Sequence, residues 1–326
     1  MGNSWARAVH SNNKTELTMV YDPHFSDASR IDCDFYSKNS IVADREDELY
    51  NANLDIIIVA SPDHFHAEQS VRALKAGCHV ICEKPLAPTL SDCKKIIAAV
   101  EETKRFFMTG QVGRYAPGFI LTKKLIDEGR IGEIAFIESE YAHDYTHAPG
   151  VDNWRCDPEI AREGIIGGGC HAMDLVRWLA GNPSEVFCYS NKKLLKNWPT
   201  ADTGIIVGKF SNDVIGKVFV SVGVKRPYTM RTVVCGTKGT IISDNTSDHI
   251  QIYEDAFLKQ TGSKFSELPV NIANHNVGAE VQEFIEYLEK GEQSPTDVYE
   301  GSRTVAFGEA ALESARTGVP VKVEKI

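Results

Sequence analysis

The chain has 326 residues, 42% apolar and 25% charged, with 25 glycines and 13 prolines; the composition is globular and the length exceeds one ordinary core, so two domains are expected. A formal net charge of -10 without a basic stripe argues against a nucleic-acid surface, and no apolar run reaches the roughly eighteen residues that span a bilayer. No apolar core follows a basic end at Met1, so no secretory leader is read, and eight scattered cysteines point to reduced thiols and a cytoplasmic protein.

Taken in chain order, Ala6 to His10 reads as helix and Glu16 to Tyr21 as a strand ending at Asp22-Pro23. An acidic residue about twenty positions beyond a glycine turn is what a dinucleotide fold sets against the adenosine ribose. Gly2 is that glycine if Gly2-Asn3-Ser4-Trp5-Ala6 is the tail of a G-x-G-x-x-G/A fingerprint, yet only Met1 stands ahead of it. The competing reading makes Gly2 a plain terminal residue and Asp22 a turn former. A helix over Ser26 to Ile31, a short strand at Phe35-Tyr36 and a helix over Asp44 to Tyr50 follow.

Leu54 to Ala60 is a short, β-branched apolar run, the pattern of a strand buried on both faces. His66 to Ala76 reads as a helix stopped by Gly77, and His79 to Cys82 as a second buried strand. Together they make a βαβ unit with parallel strands and a right-handed crossover. Glu83, Lys84 and Pro85 end its second strand, placing charge at the carboxyl edge where such sheets bind ligands. Thr89 or Ser91 caps a helix carrying Cys93, Ile96, Ile97 and Val100, and Phe106 to Met108 forms one more strand. Residues 1 to 113 therefore predict an open, doubly wound parallel sheet.

Beyond Pro117 the spacing predicts a helix over Phe119 to Glu128, a strand over Gly132 to Ala142, and a polar loop over 143 to 170. A helix then begins at Cys170 and runs to Leu179. Ser184 to Tyr253 holds five or six half-buried strands, turning at Asn212-Asp213, Gly236 to Gly239 and Asp244-Asn245, hence an antiparallel sheet with one open face. Helices over Asn276 to Lys290 and Asp297 to Thr317 and a small strand over Val319 to Val323 close the chain.

Several motifs in order carry a family resemblance: Asp22-Pro23 after a strand; IIIVASPDHFHAEQSVRALKAGCHVICEKPLAPT; GQVGRYAPGF with LIDEGRIGEI; GGGCHAMDLVRWLAG; VVCGTKGTI; and ALESARTGVPVKV. With these the chain resembles the Gfo/Idh/MocA family of nicotinamide-dependent oxidoreductases over nearly its whole length. The resemblance implies a Rossmann-type parallel sheet (1–113), here without its first strand, and an α/β domain (114–326) with a large, open, mostly antiparallel sheet. It implies polyol substrates such as sugars and inositols, and a homodimer or homotetramer built through the second domain. Two departures stand out. The strand before Gly2 is absent, which a start assigned at an internal methionine explains better than a functional deletion. Gly167 also stands four residues before His171, where the family often has an aspartate.

The resemblance makes Lys84 the first candidate for chemistry, a cation beside the hydroxyl whose carbon loses hydride, with His171 as general acid/base on the same hydroxyl. The plainer alternatives are a lysine paired with Glu83 and a histidine capping its helix. Asp174 would orient His171 or a substrate hydroxyl, and Arg114, following the last strand of the first domain, would hold substrate oxygens. Trp154 and Arg155 are further substrate candidates, or a plug at the domain junction. Gly2, Asn3, Asp22, Ser61, Pro62, His66, Glu83 and Lys84 are the cofactor candidates, with Asp22 and Glu83 on ribose hydroxyls. The charge of Asp22 disfavours a 2′-phosphate, so NAD is preferred over NADP. His143, Asp144 and His147 carry metal-ligand groups, but their spacing on an irregular loop defines no geometry, and no metal is expected. The expected activity is NAD-dependent oxidation of a secondary hydroxyl in a sugar or cyclitol. Its alternatives are transient oxidation during glycoside cleavage and a sugar-binding or oligomer-forming protein without catalysis.

Overall fold

The computed structural model describes residues 1–24, 40–257, 262, 264–272 and 275–326. It resolves into two compact units, 1–110 with 276–302, and 111–275 with 303–326. The first unit's initial stretch ends at Gly110, close to the expected cut at residue 113, and the later segment 276–302 groups with it. The expected helix over Ser26 to Ile31 and strand at Phe35-Tyr36 lie outside the described residues.

In the first unit, α1 (Gly2–Ser11) leads to β1 (Met19–Val20), β2 (Ile41–Val42) and α2 (Asp47–Asn51). Then come β3 (Ile56–Val59), α3 (His66–Lys75), β4 (His79–Cys82), α4 (Leu90–Thr103) and β5 (Phe107–Thr109). All strand pairs here are parallel, in the order β3-β4-β5, with Ile57 opposite Val80 and Val80 opposite Phe107. The pair β1-β2 forms a separate sheet, with Met19 opposite Ile41, and among the described residues no strand joins it to β3. Local chemistry sets the boundaries. Gly77, at φ 91°, follows α3, and the Thr89 hydroxyl caps α4 by accepting the Asp92 amide at 3.1 Å. Leu74, Val80, Ile96 and Phe107 are fully buried in this core, each contributing roughly 1.5–3 kcal/mol.

The returning segment begins with α7 (Val277–Lys290). It is tied to α1 and the residues after it by Asn12 Nδ2 donating to Gln282 Oε1 at 2.9 Å and by a Lys14–Glu289 ion pair at 2.7 Å. Past α7 the chain runs along the outer edge of β5: the Thr109 amide donates to the Thr296 carbonyl at 2.7 Å and the Phe107 amide to Gln293 Oε1 at 3.2 Å. Those bonds satisfy edge groups of β5.

The second unit is built on a nine-stranded sheet, in the order β13-β12-β11-β10-β6-β9-β8-β7-β14. Its strands are β6 (Ile134–Ala142), β7 (Pro183–Asn191), β8 (Thr203–Phe210), β9 (Ile215–Ser221), β10 (Thr229–Gly236), β11 (Gly239–Asp244), β12 (His249–Glu254), β13 (Ser266–Pro269) and β14 (Val321–Lys322). The sheet is mixed: β6 and β9 run parallel and every other pair antiparallel. One face carries α5 (Pro117–Asp127), α6 (Gly164–Ala180) and α8 (Val298–Thr317), while Tyr189, Ile205, Val207 and Ile215 are exposed.

Helix α6 begins at Gly164, six residues before the expected Cys170. The glycine run that reads as loop is helical because it seats the helix against the sheet. A Cβ on Gly168 would lie 2.8 Å from Tyr141 and Val222, and one on Gly169 2.5 Å from Val220. Glycine costs about 1 kcal/mol per residue in a helix, and the close approach of the buried α6 offsets it. His171 consequently stands in the middle of a helix, not at its start, and its role is not that of a cap.

Candidate active site

In the first unit the candidate residues gather at the carboxyl ends of β3 and β4. His66, fully buried at the start of α3, bridges the two loops: Nδ1 lies 2.8 Å from the Pro85 carbonyl and Nε2 3.0 Å from the Ser61 carbonyl. Both ring nitrogens face acceptors, so the doubly protonated ring satisfies both. Burial opposes that charge, but the Cys82 sulfur, Asp63 and the Pro85 carbonyl outweigh it and raise the imidazole to about 9. The His66 ring is therefore a clamp between loops, while its expected part in cofactor binding runs through the backbone amides of the Ser61–His66 turn. Ser61 donates its hydroxyl to Gln69 at 2.5 Å, and Pro62 directly follows it.

Glu83 is also committed internally. Its Oε1 accepts from the Trp5 indole at 2.8 Å and its Oε2 from the Lys84 amide at 3.1 Å. At 6% exposure this carboxylate positions α1 on the sheet edge, not a ribose. The Lys84 ammonium, by contrast, makes no ion pair with Glu83 or with any other described residue, so the structural pairing considered for it is not formed. Close by in charge is Glu280 of α7, 1% exposed, with neither oxygen hydrogen-bonded among the described residues. Burial, then the charge of Glu83, push its carboxyl well above the usual range against the opposing pull of Lys84.

The first turn of α1 fits an anionic diphosphate. No side chain caps it, and nothing lies within 4 Å of a Cβ built on Gly2, so there is space beside the backbone at this helix N-terminus. Asp22 follows β1 exposed, its Oδ1 accepting the His24 amide at 2.8 Å.

In the second unit His171 is 2% exposed and stacks on Tyr141 at 5.5 Å between ring centroids. The Tyr141 hydroxyl is 2.7 Å from that of Tyr145, and His143, Tyr228 and His275 complete an aromatic shell. Burial, then neighbouring phenols, raise Tyr141 and Tyr228, so both stay neutral and can donate.

Asp174 lies one turn past His171 in α6. Its carboxylate takes the Arg114 fork in two bonds of 2.8 and 2.7 Å, and also meets Arg177 at 3.4 Å and the Thr304 hydroxyl at 3.3 Å. Arg114 and Asp174 are buried. The pair expected to face substrate instead bolts the turn Val112–Tyr115, just ahead of α5, to α6, a correction with a simple cause: a planar fork buried beside a carboxylate pairs with it. Trp154 lies between two guanidiniums, Arg155 at 4.8 Å and Arg162 at 5.1 Å, and Gly150, at φ 83°, leaves room for its indole. Arg155 also donates to the Ala148 carbonyl at 3.2 Å.

The His143 loop gathers no metal set. Asp144 pairs with Lys225 at 2.9 Å, Thr146 and Lys225 hold its carboxyl far below the usual range, and among the described residues no three ligand-type side chains converge. None of the described cysteines forms a disulfide, and no described helix is long and apolar enough to cross a membrane. Sequence reasoning missed Trp5, Arg162, Tyr228, His275 and Glu280. The one local signal was a helical stretch of α7 with Glu280 at an otherwise apolar position.

Residues 1–111 match the NAD-binding Rossmann-fold domain of an oxidoreductase family, and residues 123–323 match the C-terminal α/β domain of the same family. Both halves thus define the class, a nicotinamide-dependent dehydrogenase of two domains. The chain belongs to the Gfo/Idh/MocA oxidoreductase family. Inositol 2-dehydrogenase 1 of Saccharopolyspora erythraea is 25% identical over 295 residues, covering 86% of this chain and 81% of that protein. Myo-inositol 2-dehydrogenase of Thermotoga maritima is 25% identical over 287 residues, covering 87% and 84%. A levoglucosan dehydrogenase solved with NADH and levoglucosan has a TM-score of 0.90 at 22% identity, covering 100% of this chain and 98% of that one. At that identity the likeness is one of fold.

Proposed function

We propose that the protein transfers hydride between a secondary hydroxyl of a sugar or cyclitol and the nicotinamide of NAD. The observation that carries this reading is His171, held mid-helix and stacked on the phenol ring of Tyr141, within a chain that belongs to this family of dehydrogenases. Bound NAD supplies the hydride acceptor. Gly2 and Asn3 would hold its diphosphate and Asp22 its adenosine ribose, the negative charge of Asp22 favouring NAD over NADP. Oxidation of the alcohol to a ketone also releases the hydroxyl proton, which His171 accepts while the Lys84 charge stabilises the developing alkoxide. Run backwards, the same groups return the proton. The reading includes a cytoplasmic homodimer or homotetramer.

NAD titration followed by turnover on a panel of sugars and inositols tests this. Binding and reduction of NAD are expected, with Lys84→Ala and His171→Ala each lowering kcat by about 100-fold or more. Absence of NAD binding defeats the dehydrogenase reading, and full turnover in either variant removes that residue from the mechanism.

A further inference from the structure

The side chain of Arg162 occupies the space next to Gly167. A Cβ built on Gly167 would lie 2.1 Å from the Arg162 Cζ and 2.2 and 2.4 Å from its two terminal nitrogens. Only a residue without a side chain at 167 therefore admits the guanidinium. Residues 167 and 171 are four apart in one helix, so their side-chain positions are neighbours on one face, roughly 5–6 Å apart. A cation thus stands beside His171 where a side chain of α6 would otherwise be, and where the family resemblance leads one to expect a carboxylate.

Its position is built, not incidental. The Arg162 guanidinium lies over the Trp154 indole at 5.1 Å, and the Thr200 hydroxyl donates to its carbonyl at 2.8 Å. The residue is 8% exposed. The phenols of Tyr141 and Tyr228 add hydrogen-bonding capacity to the neighbourhood of His171 and no negative charge. An aspartate at 167 would repel an anion there, whereas a forked guanidinium recognises a carboxylate in two parallel bonds.

We propose that Arg162, admitted by Gly167, selects a substrate bearing a carboxylate, a sugar acid or polyol acid of the uronic or aldonic class. The inference rests on the reading of His171 as the acid/base group of a polyol dehydrogenase. The hydroxyl is oxidised as described above and the carboxylate is unchanged.

The test measures NAD reduction with matched pairs, glucuronate against glucose, galacturonate against galactose and gluconate against sorbitol, in the full chain, Arg162→Met and Gly167→Ala. The acid is expected to exceed its neutral partner at least tenfold in kcat/KM for one pair. Arg162→Met should abolish that preference mainly through KM. Gly167→Ala, which displaces the guanidinium without removing it, should reduce the preference too, and serves if Arg162→Met does not fold. Neutral partners turned over as well as or better than acids overturn the inference and leave the dehydrogenase reading intact. If nothing is turned over, that reading falls, and calorimetric titration of the same acids and neutral partners decides the inference separately: binding of the acids no tighter than that of their neutral partners overturns it.

Discussion

The indole of Trp5 donates to the carboxylate of Glu83 at 2.8 Å across 78 residues of sequence. This bond joins the first turns of α1 to the carboxyl end of β4, next to Lys84. Trp5→Phe leaves a buried carboxylate without that donor. The expected loss is about 1–3 kcal/mol, read as a lower urea midpoint with unchanged m-value. Adding Glu83→Gln to Trp5→Phe should recover part of it, because the orphaned group is then neutral. Equal stability of Trp5→Phe and the parent would show that the bond contributes nothing.

His66 should make stability fall with alkaline pH. Its folded value is raised from 6.5 to about 9, so the folded state holds a proton that the unfolded chain gives up. The stabilisation is fully present below pH 6.5 and is lost as pH rises through about 9. That shift corresponds to roughly 3 kcal/mol. Denaturation across this window in the parent and in His66→Asn measures it, and an identical pH slope in both would remove the clamp from the account.

Glu280 contributes in the same direction by a different route. Its carboxyl is raised, so the folded state keeps a proton that the unfolded chain releases above the ordinary carboxyl range. Stability associated with this group therefore declines as pH rises. Glu280→Gln, a neutral isostere, should be more stable than the parent at about pH 8 and nearly equal at about pH 4. A variant less stable at the higher pH would mean that the carboxylate is charged and compensated.

Asp174 faces two guanidiniums at once, Arg114 at 2.7 Å and Arg177 at 3.4 Å. Asp174→Ala should cost about 3–5 kcal/mol by leaving both buried without their anion. Because α6 also carries His171, kcat should drop more than KM rises. Thermal melts and steady-state kinetics check this, and a variant that loses substrate affinity at full stability would return Asp174 to a substrate role.

The βαβ unit was legible in the sequence: the strand from His79 to Cys82 and the helix from His66 match almost residue for residue. Buried strands and amphipathic helices imprint local periodicity, and glycine and proline mark their ends. The start of α6 was not legible, because a glycine run reads as loop unless a neighbouring sheet is known to press on it. The parallel pairing of β6 with β9 was hidden for a related reason: alternation reveals which face a strand buries and not which way its neighbour runs.

The same distinction runs through the site. Motif order by itself determined the family, the nicotinamide chemistry and the candidacy of Lys84 and His171, since these depend on residue type at short spacing. Tertiary structure alone decided the partners. It gave His66 to two carbonyls, Glu83 to Trp5 and Asp174 to Arg114, and it laid Arg162 against Gly167. A polar side chain buried on folding bonds to whatever the packing of distant elements brings within about 3 Å, and local spacing does not encode that neighbour.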